Sequence, residues 1–270
     1  MTDFTTVKLD IQDRVAVLTL DRPEVLNSMN PDLIADVRAA TAEVAANDDA
    51  RALVITGNGR AFCAGADLSA SAGATGGTAE MSVGERVADG MKLRFNPMMN
   101  ELYELDKPIV AAVNGVAAGG GAGLALAADI VIAARSASFI QVFGPKLGIV
   151  PDLGCTWHLP RRVGRARALG LAMLGDKLHA EEAENWGLIW KCVDDTQLMA
   201  DAMGIAKKLA NGPTQAFPAI RRAVDRASQV DYPDQLEHER QCQRVLADTH
   251  DFTEGVAAFL QKREAAFTGK

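Results

Sequence analysis

Aromatic side chains are scarce in this chain: nine Phe, three Trp and two Tyr make up 5% of 270 residues. The core must therefore be filled by aliphatic and small side chains, and the apolar fraction of 48% is ordinary for a globular protein. Cysteine and histidine are sparse as well. Cys63, Cys155, Cys192 and Cys242 are scattered, and His158, His179, His238 and His250 form no H-x-x-x-H pair. No metal centre is expected from such spacing, and buried or idle thiols in a reducing cytoplasm account for the cysteines. A long apolar run is missing too. The stretch from Gly115 to Ala134 comes nearest to the ~20 apolar residues of a membrane span, but five glycines and Asp129 interrupt it. Met1-Thr2-Asp3-Phe4 carries no basic segment leading into an apolar one, so no signal peptide is expected. Excess positive charge is lacking: 28 Lys and Arg stand against 35 Asp and Glu, a net −7, which argues against nucleic acid as the main partner. The densest basic stretch, Arg161 to Arg167, reads as a solvated helix face or a local phosphate contact. Gly119 to Leu124 does not satisfy G-x-G-x-x-G, and no G-x-S-x-G is present. A nicotinamide enzyme and a serine hydrolase of that type are not expected.

Glycine, in contrast, is concentrated where chemistry can use it. Ala61-Phe62-Cys63-Ala64-Gly65-Ala66-Asp67-Leu68 and Asn114-Gly115-Val116-Ala117-Ala118-Gly119-Gly120-Gly121-Ala122-Gly123 each follow an apolar strand-like run and enter a helix. A helix start leaves backbone N–H groups without internal partners, and those groups favour negative charge. Two such starts facing each other can hold one carbonyl oxygen as it becomes an oxyanion. The plainer reading is that these glycines only let backbones pack closely.

The order of elements indicates an α/β core. Val7–Leu9 and Val15–Leu20 predict a hairpin turning at Gln12-Asp13. Asn30-Pro31 predicts a helix start, with Leu33, Ile34, Val37 and Val44 on its apolar face. Strands are predicted over Ala52–Thr56, Ile109–Val113 and Asp129–Ala133, with a helix from about Gly120 to Ala128 between the last two. Ser69–Ser82 is rich in Ser, Ala and Gly and predicts a mobile loop, either a lid over a ligand or a plain surface loop. Beyond Gln197 the chain is predicted helical, over Met199–Leu209, Pro213–Ser228, Tyr232–Ala247 and Asp251–Phe267. Val256, Phe259 and Leu260 share one face of the last helix. The chain thus divides into a core of residues 1–196 and a helical region of residues 197–270.

Phe62–Leu68 and Asn114–Gly121 resemble the two oxyanion-hole segments of the crotonase superfamily, the enoyl-CoA hydratases and isomerases. The resemblance runs from Arg22-Pro23-Glu24-Val25-Leu26-Asn27 to the segment Glu254–Arg263, nearly the whole chain. It implies an α/β spiral of ββα turns with a helical C-terminal trimerisation region, assembled as a homotrimer or a dimer of trimers. It implies an acyl-CoA thioester as substrate in a cytoplasmic enzyme, with no separate cofactor. It places the N–H groups of Ala66 and Gly120 in the oxyanion hole. Glu24, Val25, Leu26, Ala64, Gly65, Asp67 and Leu68 would line the CoA path. Phe259 and Lys262 would supply a C-terminal CoA contact, in a tail where Ala265 replaces a common Pro.

The same resemblance identifies which side chain would move protons. Hydratases of the superfamily use two glutamates. The first falls at Gly123 here. The second falls at Phe143 counting forward from Phe139, or at Gly144 counting back from Gly148, a mismatch that implies one inserted residue near Pro145. Neither position holds a carboxylate. Asp152, in Pro151-Asp152-Leu153-Gly154, stands where isomerases of the superfamily carry their acid/base group, although Pro-Asp-x-Gly is also ordinary turn chemistry. Arg94–Pro97, Val116–Gly119, Asp129–Ala137, Pro151–Trp157 and Gly164–Gly170 most resemble the ring-opening isomerases of phenylacetate catabolism. Those enzymes convert a ring-1,2-epoxyphenylacetyl-CoA to an oxepin-CoA and shift enoyl-CoA double bonds. The implied activity is an enoyl-CoA isomerase. A hydratase using Asp152 alone, and a non-catalytic acyl-CoA-binding homologue, are the alternatives. Proton transfer by Asp152 would require an apolar setting that raises its pKa from about 3.9. Phe143, Leu147 and Trp157 are candidates to provide it.

Overall fold

The computed structural model describes residues 3–69 and 81–270. Most of the segment predicted as a mobile loop, residues 70–80, lies outside the described residues. The chain opens with a hairpin of β1 (Val7–Gln12) and β2 (Val15–Leu20), in which Gln12 pairs with Val15. The two-residue turn is Asp13-Arg14, with φ of 51° and 65°. Left-handed residues at both positions match the twist of the flanking strands. The turn thus sits one residue later than predicted, and β1 runs three residues past Leu9. Helix α1 (Pro31–Ala46) follows, capped by the Asn30 side chain, which accepts from the Leu33 N–H. The four residues predicted for its apolar face are all buried.

Three strand pairs then repeat one plan. They are β3 (Ala52–Gly57) with β4 (Ala61–Cys63), β5 (Ile109–Val113) with β6 (Val116–Ala118), and β7 (Ile130–Ala134) with β8 (Ser138–Ile140). The first strand of each pair joins a six-stranded sheet and the second joins a four-stranded sheet. Within each sheet the three successive strands are parallel. Each pair is followed by helix: α2 (Val83–Gly90) and α3 (Asn96–Glu104), joined by a π-helical turn over Met91–Phe95, then α4 (Gly120–Leu126), then α5 (Cys155–Leu174). This is a spiral of ββα turns. β9 (Leu178–His179), α6 (Ala180–Asn185) and β10 (Lys191–Val193) complete the sheet edges.

Two asparagines hold the corner between β3 and β4. Buried Asn27 donates to the carbonyls of Asn58 and Ala61 at 3.0 and 2.9 Å. Asn114 accepts from the Gly57 N–H and donates to Gly59 and Ala61. Strand β5, Ile-Val-Ala-Ala-Val, is buried throughout, as a parallel strand covered on both faces requires.

Helix α7 (Leu198–Ala210) lays Ala202, Ala206 and Ala210, spaced by four, into the same core. α8 (Ala216–Ala227), α9 (Tyr232–Leu246) and α10 (His250–Gln261) follow. The last helix is shorter than the predicted Asp251–Phe267. Lys262 turns left-handed at φ 54°, and the remaining residues double back. Glu254 pairs with Arg263 and accepts the Ala266 N–H, while the buried Asp251 carboxylate accepts the N–H groups of Thr268 and Gly269. Arg51, at the start of β3, donates to the Phe267 carbonyl. These contacts terminate the helix, and helical periodicity does not record them. Among the described residues no helix is long and apolar enough to cross a membrane.

Candidate active site

Strand β4 delivers the first glycine turn against the segment that follows β2. The Ala64 N–H donates to the Leu26 carbonyl at 3.0 Å, Met29 N–H to Gly65 at 2.7 Å, and Asp67 N–H to Met29 at 3.0 Å. In this parallel bridge the N–H of Ala66 points away from Met29, and among the described residues it has no backbone acceptor. Ala66 itself is exposed. Gly120 opens α4, so its N–H has no intrahelical partner either. The two turns touch. A Cβ built on Gly65 would stand 2.8 Å from the Ala118 oxygen and 3.4 Å from the Gly120 nitrogen. Gly65 also needs its φ of 95°, a region that side chains disfavour. The close approach of the two donors therefore depends on a residue without a side chain.

An ion pair fixes this junction. Arg22 donates to Asp67 at 3.1 Å and to the Ser28 carbonyl at 2.5 Å, and both charged side chains are largely covered. The Asp67 carboxylate also accepts from Ser69. Glu24, Val25 and Leu26 are thereby held beside Ala64–Leu68, with Glu24, Val25 and Leu68 exposed. Phe259 and Lys262 are exposed at the end of α10. Among the described residues no hydrogen bond or ion pair joins them to either turn.

Asp152 sits in a tight turn between β8 and α5. Leu153 and Gly154 are both left-handed, at φ 46° and 78°. A left-handed leucine costs about 1–2 kcal/mol, and burial of its side chain, only 5% exposed, offsets that cost. Asp152 is half-buried, and its Oδ1 is buried without a hydrogen-bond partner. Burial pushes its pKa up from 3.8 to about 6, the range in which a carboxyl both takes and returns a proton. Of the predicted apolar neighbours, Leu147 is instead 41% exposed, and the Phe143 ring lies against Gly119.

The two hydratase positions hold no carboxylate. At the second position the one-residue mismatch has a structural form: Phe143–Leu147 is a π-helical turn closed by left-handed Gly148. Such a turn absorbs one extra residue. Other titratable groups nearby are poorly suited to proton transfer. Burial pushes the thiols of Cys63 and Cys155 up to about 12. Burial, with Arg162 and Arg161 adding to it, pushes His158 down to about 3. Among the described residues no group of three or more His, Cys, Asp or Glu could hold a metal.

Cavity size does not point to this site. A cavity of about 720 Å³ lies under the C-terminal tail, whereas Leu153 and Gly154 border one of about 370 Å³ with Met99, Tyr103 and Trp157. What the site offers chemically is two unpartnered N–H groups and one raised carboxyl. That combination suits stabilising an enolate while a single group moves a proton. Leu153 was not visible as a site residue in the sequence, where Pro-Asp-x-Gly marks a turn but not the direction its leucine takes.

The family described as enoyl-CoA hydratase/isomerase matches residues 10–270. The 1,2-epoxyphenylacetyl-CoA isomerase of Escherichia coli is 46% identical over 96% of this chain and 97% of its own length. A protein of Rhodobacter capsulatus named probable enoyl-CoA hydratase is 44% identical over 99% of each. The crystal structure of an enoyl-CoA hydratase from Bacillus anthracis superposes with a TM-score of 0.89 at 32% identity, covering 98% of this chain and all of that one.

Proposed function

The chain belongs to the enoyl-CoA hydratase/isomerase family, and from that premise we propose that it is an enoyl-CoA isomerase acting through Asp152. The thioester carbonyl accepts the N–H groups of Ala66 and Gly120, which makes the α- or γ-proton acidic as charge moves into an enolate. Ionised Asp152 takes the proton from one carbon and returns it at another, so the enzyme ends the cycle unchanged. One observation carries this reading: Asp152, on the turn whose Leu153 side chain lies against Gly120, has a raised carboxyl with a buried, unpartnered oxygen, and positions 123, 143 and 144 hold no second carboxylate. The name of the Escherichia coli relative extends the proposal to ring-epoxide acyl-CoA substrates. The name of the Rhodobacter relative supports the second reading, water addition with Asp152 alone. A binding-only role gives no reason for a raised carboxyl on a turn packed against Gly120.

The proposed steps use backbone donors and one carboxyl, with CoA as part of the substrate and no other cofactor. Assembly as a trimer or a dimer of trimers is part of the proposal, supported by exposed Val256, Phe259 and Leu260 on α10. A cytoplasmic location is also proposed, supported by four free cysteines.

The test is to supply a 3-enoyl-CoA and a 2-enoyl-CoA in oxygen-labelled water and weigh the products. Double-bond movement without label supports the isomerase; label in the product supports the hydratase. Asp152→Asn is expected to lower isomerisation at least ~10²-fold with CoA-thioester binding retained.

A further inference from the structure

Gly123 lies within α4, three residues after Gly120. Alanine is the better helix former, so glycine inside a helix calls for a reason. The reason is what a side chain would meet. A Cβ at position 123 would stand 2.5 Å from the carbonyl oxygen of Leu153 and 2.9 Å from its Cβ. Those atoms belong to the backbone and its first branch, and they cannot swing aside as the end of a long side chain would. The Leu153 side chain continues along the helix, since a Cβ at Gly120 would meet its Cδ2 at 3.1 Å. Leu153 therefore lies flat along the helix face that begins with the oxyanion donor, and the residue before it is Asp152.

We propose that Gly123 is a positioning residue for Asp152: the bare face of α4 is the seat of the turn 151–154, and any side chain at 123 lifts the carboxyl away from the thioester. This inference rests on the reading that Asp152 moves the proton. It carries a consequence for reaction type. A side chain at 123 and Leu153 in its present place need the same space, so restoring a carboxylate at 123 displaces the turn that carries Asp152. The left-handed backbone of Leu153 leaves the turn little freedom to retreat, because the buried leucine side chain is what holds it there.

The experiment compares Gly123→Ala, Gly123→Glu, Leu153→Gly and Asp152→Asn with the parent in the isomerase assay and in labelled water. Gly123→Ala is expected to lower kcat by ~10- to 100-fold, the scale of a misplaced catalytic group, with KM within about twofold. The acid limb of its pH profile should move toward the ordinary carboxylate range, because a lifted turn admits water to Asp152. A purely structural glycine would lower the melting temperature and leave both the kcat of the folded enzyme and the limb unchanged. Gly123→Glu is expected to lose isomerisation and incorporate no label. Leu153→Gly permits the same turn conformation but removes the grip on α4, and it should show the same kcat loss and limb shift even if the position-123 variants do not fold. Parent kcat and limb in Gly123→Ala, or in Leu153→Gly should that variant be the one that folds, would overturn the proposal. So would Gly123→Glu hydrating while it still isomerises. If Asp152→Asn keeps parent turnover, it is the functional reading that fails; if Asp152→Asn is inactive and Gly123→Ala is not impaired, only the seat is wrong.

Discussion

The Arg162 guanidinium donates to the Leu126 carbonyl at 2.6 Å, at the last residue of the helix that begins with Gly120. It also reaches the carbonyls of Ala128 and Leu188, at 3.2 and 3.3 Å. A positive charge at this end complements the helix dipole, while the other end offers its N–H to developing negative charge. Within the basic stretch from Arg161 to Arg167, Arg161, Arg165 and Arg167 are exposed, as a solvated face requires, and Arg162 is the exception. Arg162 points inward, Arg161 stacks on Trp157 and Arg167 on Trp186.

Arg162→Ala strips a charged donor from three covered carbonyls. The expected loss is about 2–4 kcal/mol, and at roughly 2–4 °C per kcal/mol for a chain of this size the melting temperature should fall by ~5–15 °C. Calorimetry checks this. A fall of a degree or less would show that water replaces the arginine without cost.

The pH dependence has two parts with opposite sign. As a base Asp152 must be ionised, so kcat/KM should rise with pH along a limb near 6 and then level off. Stability runs the other way. The fold binds this proton more tightly than the unfolded chain, whose carboxyl titrates at its ordinary value of 3.8. The contribution of the neutral carboxyl is complete below that value and is lost as pH rises toward 6. Asp152→Asn should therefore melt higher than the parent at pH 8, with the difference vanishing below about pH 4. Scans at several pH values would expose the error if the variant melted lower at pH 8.

Gly65→Ala should lower turnover ~10²–10³-fold with less effect on the fold. The added methyl would crowd the Ala118 oxygen at 2.8 Å and demand a left-handed backbone from alanine. Spreading the two turns weakens one oxyanion donor, and loss of such a donor costs ~10²–10³-fold in kcat. Single-turnover kinetics on the folded variant measure it, and near-parent turnover would remove Ala66 from the oxyanion hole.

Sedimentation at micromolar concentration should give three or six times the 28.6 kDa of one chain. The same preparation should keep its activity after treatment with a metal chelator. A stable monomer, or activity lost to the chelator and restored by metal, would count against the assembly and the chemistry respectively.

What the sequence by itself determined lies within short reach along the chain. Asn30 and Pro31 cap α1, the apolar run at 109–113 forms a buried strand, and the glycine turns at 65 and 120 mark where backbone donors are left free. Each depends on residues a few positions apart, whose geometry follows from local dihedral preferences and periodicity. Even the π-helical turn at Phe143–Leu147 left a trace, as a count that failed to close near Pro145. The resemblance along the chain supplied the spiral and singled out Asp152. Tertiary structure alone decided the rest. It showed that Leu153 turns left-handed and lies on Gly123, that Arg162 caps the helix that Gly120 opens, and that Asp251 and Glu254 end α10 at Gln261 by capturing the tail. These contacts join residues 12 to 36 positions apart. A local pattern cannot specify such pairings, because they form only when separate elements are packed together.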